Sequence, residues 1–370
     1  MSFAGLKICL VGPLPPPAGG MANQMRQLSE CLRAEGAVVE PVRVNAPCRP
    51  AWIEHIKGAR AGFRLPPYVL ALWRACGRAD LVHVMANSGW SWHLLAAPAI
   101  RVAALRKTPV VVHYHGGEAA AFLEKAAARV RKNLRRCAGL LLPSGFLLEV
   151  FARHGMRGRI VPNIVDPACF HPAAARGRDP RAPHIVVARN LEPIYGMDVA
   201  LHAFARIAAA LPRARLSIAG SGSERAALEE LARHLGIAAG VRFTGRLERE
   251  RMAALYRDAD LVINPSRVDN MPVSVLEALA SGVPVVSTDV GGVPFIVEQG
   301  RTAMLAPPDD PGALAAAALA VLGDGELARR LREAGIAEAR QYCWDAVKGK
   351  LLAAYRDAMA PEIRAAHPLC

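Results

Sequence analysis

The sequence predicts two doubly wound, Rossmann-like α/β domains, each a parallel sheet covered by helices. Three observations carry that prediction. Short β-branched runs such as Val110-Val-Val and Leu261-Val-Ile alternate with stretches of helical apolar spacing along the whole chain, the pattern of βαβ units rather than hairpins. Several of these runs lead into a loop rich in Gly or Pro and then into a helix, as at Gly12 to Gly20 and at Gly220 to Gly222. The segment HPAAARGRDPRAP, His171 to Pro183, reads as a linker between the halves. A first domain at 1–171, a second at 184–343 and a long final helix at 344–359 are therefore expected. With 370 residues, 52% of them hydrophobic, the chain is long enough to fill two cores.

In the first half, Leu6-Lys-Ile-Cys-Leu-Val is a strand, and Met21 to Ala34 is a helix closed by Gly36. Gly19-Gly20 stands between them, where the backbone can approach a ligand closely at a helix start. Val38 to Val44 and Asp80-Leu-Val-His-Val are further strands, and Asn87 to His93 is a loop. Val110-Val-Val-His-Tyr-His115 then places an imidazole at the carboxyl end of a strand, the edge at which open α/β sheets bind ligands. His83 and His113 read instead as core residues. Glu124 to Gly139 reads as a basic helix, on which Lys125, Arg129, Lys132 and Arg136 recur at spacings of 4, 3 and 4 and share a face. An anionic membrane surface suits such a face, and so does plain water. Trp52, Trp73, Trp90 and Trp92 are candidate acceptor or membrane contacts. Leu140-Leu-Leu-Pro-Ser ends the run.

In the second half, His184 to Ala188 is a strand, followed by the loop Arg189 to Gly196 and a helix from Asp198 to Leu211. Arg215 to Ala219 runs into Gly220-Ser-Gly222, with a helix from Ser223 to Leu235. The third small residue and the acidic ribose partner of a dinucleotide fingerprint are missing here, so that function is excluded. Val241 to Gly245 is a strand and Leu247 to Asp258 a helix. The organising stretch comes next, LVINPSRVDNMPVSVLEALASGVPVVSTDVGG from Leu261 to Gly292. Its strand, polar loop and Pro272-led helix form an anion-holding unit, because the N–H groups of the first helical turn have no internal partner. Asp269 and Glu277 frame it, eight positions apart. Pro294 to Gly300, Pro311 to Leu322 and Trp344 to Met359 complete the helices.

At these residues the chain resembles glycosyltransferase family 4, the retaining group 1 enzymes that draw a sugar from a nucleotide-sugar donor. The family carries Glu, seven residues, Glu on this strand-loop-helix. The resemblance makes Glu277 the ribose partner and places Asp269 beside the donor sugar, one methylene shorter than the family's Glu. It places Arg189 on the donor diphosphate, with Tyr195 where the family has Lys. It puts Gly19 and Gly20 opposite that diphosphate, and His115 beside the donor sugar and the acceptor hydroxyl. Gly220, Phe243, Asn270, Met271 and Val273 complete the expected donor pocket. Pro162-Asn163-Ile164-Val-Asp166 is similar to the family's Pro-Asn-Gly-Val-Asp turn, with Ile164 for Gly. The implied architecture is GT-B, two Rossmann-like domains facing across a cleft, with the final helix packed back on the first domain. The implied activity is transfer of a hexosyl unit from a nucleoside-diphosphate sugar, with no cofactor and no obligatory metal. A nucleotide-sugar 2-epimerase and a non-catalytic nucleotide-sugar-binding protein are alternatives on the same fold.

Composition limits the partners. Up to Arg176 there are 23 Lys and Arg against 9 Asp and Glu, and beyond it 23 against 23, so the whole excess of +14 lies in the first half. That asymmetry points to an anionic partner for the first half, nucleic acid, an anionic lipid surface or a phosphorylated acceptor, with a plain solvated surface as the alternative. The expected partner is a lipid-linked or glycan acceptor at an anionic membrane surface, not nucleic acid, and the expected location is the cytoplasmic face of the membrane. The apolar runs are short and broken, and MSFAGLKICLVG reads as a strand rather than a signal peptide. Eight scattered cysteines without a C-x-x-C pair indicate reduced thiols and no metal site.

Overall fold

The computed structural model describes residues 2–16, 19–47, 59–173 and 179–360. The chain forms two compact units, Met1–Ile164 with Val347–Cys370, and Val165–Ala346. The first is built on β1 (Lys7–Gly12), β2 (Val38–Arg43), β3 (Leu81–Ala86), β4 (Val110–Tyr114), β5 (Gly139–Leu142) and β6 (Arg159–Ile160). Their order is β2-β1-β3-β4-β5-β6 and every pairing is parallel. β3 and β4 are buried along their whole length, because helices cover both faces of a parallel sheet. Those helices are α1 (Gly20–Ala34), α2 (Ala59–Cys76), α3 (Ala97–Leu105), α4 (Ala119–Leu134) and α5 (Gly145–Arg153). α1 buries Ala22, Met25, Leu28 and Leu32, one stripe at helical spacing.

The second unit contains β7 (His184–Ala188), β8 (Arg215–Ala219), β9 (Val241–Gly245), β10 (Leu261–Asn264), β11 (Val285–Thr288) and β12 (Met304–Ala306). The order is β12-β11-β10-β7-β8-β9, again parallel, so the chain reverses direction across the sheet between β7 and β10. Around it lie α6 (Met197–Ala210), α7 (Arg225–His234), α8 (Arg249–Asp258), α9 (Val273–Ala280), α10 (Pro311–Gly323) and α11 (Gly325–Ala339). The last helix, α12 (Trp344–Met359), belongs from Val347 onward to the first unit. Its Tyr355 is fully buried, with the hydroxyl 2.7 Å from His83 Nδ1 and the ring edge-on to Phe3. Asp357 pairs with Arg159, and Lys348 lies 3.1 Å from Glu35.

Some expectations change. The basic helix runs Ala119–Leu134, not Glu124 to Gly139, because the Ala-rich start after Glu118 is already helical and β5 claims Gly139. Lys125, Arg129 and Lys132 are exposed on it, but Arg136 is exposed in the turn beyond, its Nη1 donating to the Lys132 carbonyl at 2.6 Å. Trp92 is no surface contact: it is fully buried against Tyr114 and Phe122. Trp90 and Trp73 are exposed, and Trp52 lies outside the described residues. The expected helix from Pro294 is a single 3-10 turn, Val293–Phe295. No single described helix is long and apolar enough to cross a membrane.

Candidate active site

Open α/β sheets bind ligands at the carboxyl edge where strand order reverses. In the second unit that point lies between β7 and β10, and the loops leaving these two strands carry Arg189 and Asp269. Arg189 Nη2 donates to Asp269 Oδ2, and its Nη1 is 3.5 Å from the Ser274 hydroxyl. The Arg189 guanidinium lies over the Tyr195 ring, 4.4 Å from Cζ to centroid, so the ring supports the cation. Arg189 Nε is buried and has no partner among the described residues. Such a donor costs free energy until something accepts from it.

The β10 loop is built to present Asp269. The Asn270 N–H donates to its Oδ1 at 3.0 Å, and the Gly292 N–H donates to its carbonyl at 2.9 Å. Burial pushes the Asp269 carboxyl up from its ordinary value, against the pull of Arg189, the Ser266 hydroxyl and the Asn270 N–H. Arg267 ties the loop down. It makes a two-pronged pair with Asp198 at 2.7 and 2.9 Å, reaches Asp309 at 2.6 Å, and donates to the Pro193 carbonyl. Met271 and Asn270 are buried behind Asp269. Pro272 caps α9, whose first residues Val273 and Ser274 lie at the positive end of the helix.

Glu277 lies two turns from Asp269, on the partly buried side of α9. The hydroxyl of Tyr256, fully buried on α8, donates toward its Oε2 at 3.3 Å and to the Ser274 carbonyl at 3.2 Å. Burial pushes Glu277 up to about 8; the Tyr256 hydroxyl and the charge of Arg249 act the other way. A carboxyl so placed is largely protonated at neutral pH without a ligand, and it must give up that proton to accept from a pair of hydroxyls as a carboxylate.

Glycines let these loops pack together. A Cβ on Gly220 would lie 1.8 Å from the Arg189 carbonyl oxygen, and one on Gly222 2.2 Å from that of Leu191. Gly220 therefore supports Arg189 through the backbone. A Cβ on Gly292 would meet the Asn270 carbonyl at 1.6 Å. Gly292→Ala is expected to cost about 1–3 kcal/mol by overpacking and to lower the thermal midpoint. Gly19→Ala, with nothing within 4 Å of its Cβ position, should leave the midpoint unchanged. Equal midpoints for the two variants would show that the contact at Gly292 is not rigid. Phe243 on β9 is half-buried, with Arg225 6.0 Å from its ring.

In the first unit, Gly19 and Gly20 open α1 after β1, and His115 follows β4, all at the carboxyl edge of that sheet. His115 accompanies Asn163, its side-chain hydrogen-bond partner, and its ring centroid lies 4.2 Å from that of His113, the two rings tilted by 44°. Burial holds it well below the ordinary imidazole value, helped by His113 and His83 and opposed by Asn163. It is thus neutral, and its Nε2 has no partner among the described residues. His83 and His113 are core residues as expected, bonded to Tyr355 and to the Val161 carbonyl. The Pro162-Asn163-Ile164 turn is clamped to α1 by Gln24, which bonds both the N–H and the carbonyl of Ile164 at 2.8 Å. Among the described residues, no group of three or more His, Cys, Asp or Glu is placed to hold a metal.

Residues 173–338 match the family model for glycosyl transferases group 1, and residues 18–169 match that for glycosyltransferase family 4. The chain belongs to the group 1, family 4 glycosyltransferases. This glycosyltransferase is 32% identical over 240 residues to the D-inositol 3-phosphate glycosyltransferase of Segniliparus rotundus, covering 62% of this chain and 54% of that one. It therefore spans about half the length of that curated relative. Sucrose-phosphate synthase from Thermosynechococcus elongatus has the same fold, with a TM-score of 0.77 at 21% identity over 98% of this chain and 100% of that chain. The Anabaena protein HepE, solved with UDP and glucose, matches with a TM-score of 0.69 at 17% identity over 94% and 98%. Both likenesses identify the glycosyltransferase fold as GT-B.

Tyr256 and Arg267, which hold candidate site residues in place, are not singled out by the sequence, and Asn163 stands there only as part of a turn, without its bond to His115. Tyr256 falls within the helix expected from Leu247 to Asp258, with nothing in the sequence to mark its role. Its partner Glu277 is 21 positions away, and no local pattern links them.

Proposed function

We propose that this glycosyltransferase transfers a hexosyl unit, with retention of configuration, from a nucleoside-diphosphate sugar to an acceptor hydroxyl. One observation carries the proposal: Arg189 with a spare donor, the N-terminus of α9, and Glu277 lie together at the switch point of the second sheet. A diphosphate suits the first two, and a ribose diol suits the third. In the reaction the bond between sugar C1 and the diphosphate oxygen breaks, and the acceptor oxygen bonds to C1. The acceptor's proton leaves with the diphosphate. Charge grows on the departing group, so fixed positive groups at that place lower the barrier. Arg189 and the N–H groups at Val273 and Ser274 are assigned that role, without a metal or other cofactor. His115, neutral and with Nε2 unpartnered among the described residues, is assigned to a hydroxyl of the sugar or acceptor.

The acceptor we propose is a lipid-linked or glycan intermediate of cell-surface polysaccharide synthesis, met at the cytoplasmic face of an anionic membrane. Lys125, Arg129 and Lys132, exposed on α4, and Arg136 beyond it support this reading. Each basic side chain near an anionic leaflet contributes about 1 kcal/mol, and the attraction fades within a Debye length of about 8 Å. The protein is expected to sediment with anionic vesicles at low salt and to be released at high salt. Arg129→Glu with Lys132→Glu should abolish sedimentation. A protein that ignores such vesicles has a soluble acceptor instead. The activity itself is tested by release of nucleoside diphosphate from nucleotide sugars, with and without extracted lipid acceptors. No release from any donor would refute it.

A further inference from the structure

A second basic site lies in the first unit, at the amino edge of its sheet, opposite the edge that carries His115. There α3, α4 and α5 all end, and the turns that follow them surround a basin of about 580 Å³. Its wall carries Lys107, Arg135, Arg136, Arg157 and Arg159, and one carboxylate among the described residues, Asp357 of α12. Asp357 pairs with Arg159. Lys107, Arg135 and Arg157 have no carboxylate partner among the described residues.

Cations often gather at helix ends because the C-terminal dipole attracts them. Three such ends contribute about −0.5 each, or about −1.5 together. Five cations and one carboxylate leave +4 on the wall, so the dipoles offset less than half of it. The floor is also fixed. The Thr108 hydroxyl donates to the Cys76 carbonyl at 2.7 Å, and Gly158 fits against β5 so closely that a Cβ would meet Leu142 at 2.8 Å and the Leu140 carbonyl at 3.2 Å. Arg157 and Arg159 flank that glycine where the chain enters β6. The basin is concave and net positive over a fixed floor, and its exposed arginines offer forked donors, which suits oxyanions bearing two or more charges.

We propose that this basin binds a soluble ligand of the phosphate-ester or diphosphate class, at a site separate from the transfer chemistry. Arg159 is held by Asp357 until the anion arrives, so Asp357 acts as an internal competitor. Inorganic pyrophosphate is the probe, titrated calorimetrically into the full chain at low salt. Arg135→Ala with Arg157→Ala should weaken one bound pyrophosphate about tenfold or more, whereas Arg135→Lys with Arg157→Lys, which keeps the charge and loses the forked donors, should weaken it less. Asp357→Asn should tighten that same binding severalfold, a gain that misfolding cannot mimic. Glu277→Gln, in the other unit, should not change it. The proposal is overturned if the double alanine variant binds pyrophosphate as wild type does, or if Asp357→Asn fails to tighten it. Pyrophosphate that does not bind, together with vesicles of phosphatidylglycerol that lose the double alanine variant, would overturn it in favour of a lipid surface.

Discussion

Arg189→Ala is expected to lower turnover about 10²-fold or more, the loss seen when one fixed donor to developing negative charge is removed. Its effect on stability has a separate cause. Arg189 is paired with Asp269, and both side chains are nearly buried, 12% and 10% exposed. Removing one partner of a buried pair costs about 3–5 kcal/mol when the other stays charged. Asp269 is already pushed up by burial, and without Arg189 it rises further. A carboxyl whose folded value lies above its unfolded value is stabilising while protonated, and this stabilisation is lost as pH climbs through the folded value. The alanine variant should therefore be near wild-type stability in acid and fall behind as pH rises. Adding Asp269→Asn removes the stranded carboxylate and should restore most of the stability at neutral pH, measured by denaturant unfolding, while turnover stays low. If the double variant regains turnover, Arg189 is not the diphosphate cation.

Tyr195 decides how far that loss can be compensated. The ring stacks on the guanidinium and brings no charge. In Tyr195→Lys the stack is lost and a cation is gained, so donor affinity rises only if the missing charge matters more than the missing support.

The parts of this molecule that were legible in the sequence are those with strong local patterns. Val110-Val-Val and Leu261-Val-Ile are buried on both faces, so their apolar runs are continuous and their strands were placed within a residue or two. Trp344 to Met359 was found end to end. β6 and β12, with two and three residues, are too short to show a period. α2 contains Pro66 and Pro67, which break any helical pattern read from sequence. The same division holds for the site. Arg189 and Asp269 stand in loops after strand ends and Glu277 in the helix beyond, and the resemblance to family 4 at these positions is what named them as candidates. What holds them could not be named that way: Tyr256 below Glu277, Asn163 beside His115, and Arg267 bridging Asp198 and Asp309 all act across long separations. Trp92 was misplaced for a related reason. An aromatic beside Trp90 in a loop-like segment looks exposed until the π-helical turn Trp92–Ala96 rotates it into the core.

Glu277→Gln is expected to weaken nucleoside-diphosphate binding by tens of fold at pH 8.5, because a charge-assisted acceptor for two hydroxyls contributes about 1.5–3 kcal/mol. The size of the effect should depend on pH, and the direction follows from the environment. Burial raises Glu277 to about 8, so the ligand-free carboxyl carries its proton through most of the neutral range. A ribose diol donates to the carboxylate and therefore selects the ionised form, releasing the proton. Wild-type affinity should then climb about fivefold between pH 7 and 8, by less than about twofold between pH 8 and 9, and level off above that. Measurements between pH 7 and 9 keep the phosphate itself ionised, since its second proton leaves near about 6. The glutamine variant has no proton to lose, so its profile over this range should be flat, and the gap between the two proteins should widen with pH. The ligand-free protein should show the opposite trend in stability: a proton held more tightly when folded stabilises in acid, and that contribution is lost as pH rises through about 8. Calorimetric titration of both proteins at pH 7.0, 8.0 and 9.0 is the test. A wild-type profile as flat as that of the variant, with equal affinities, would remove Glu277 from the ribose.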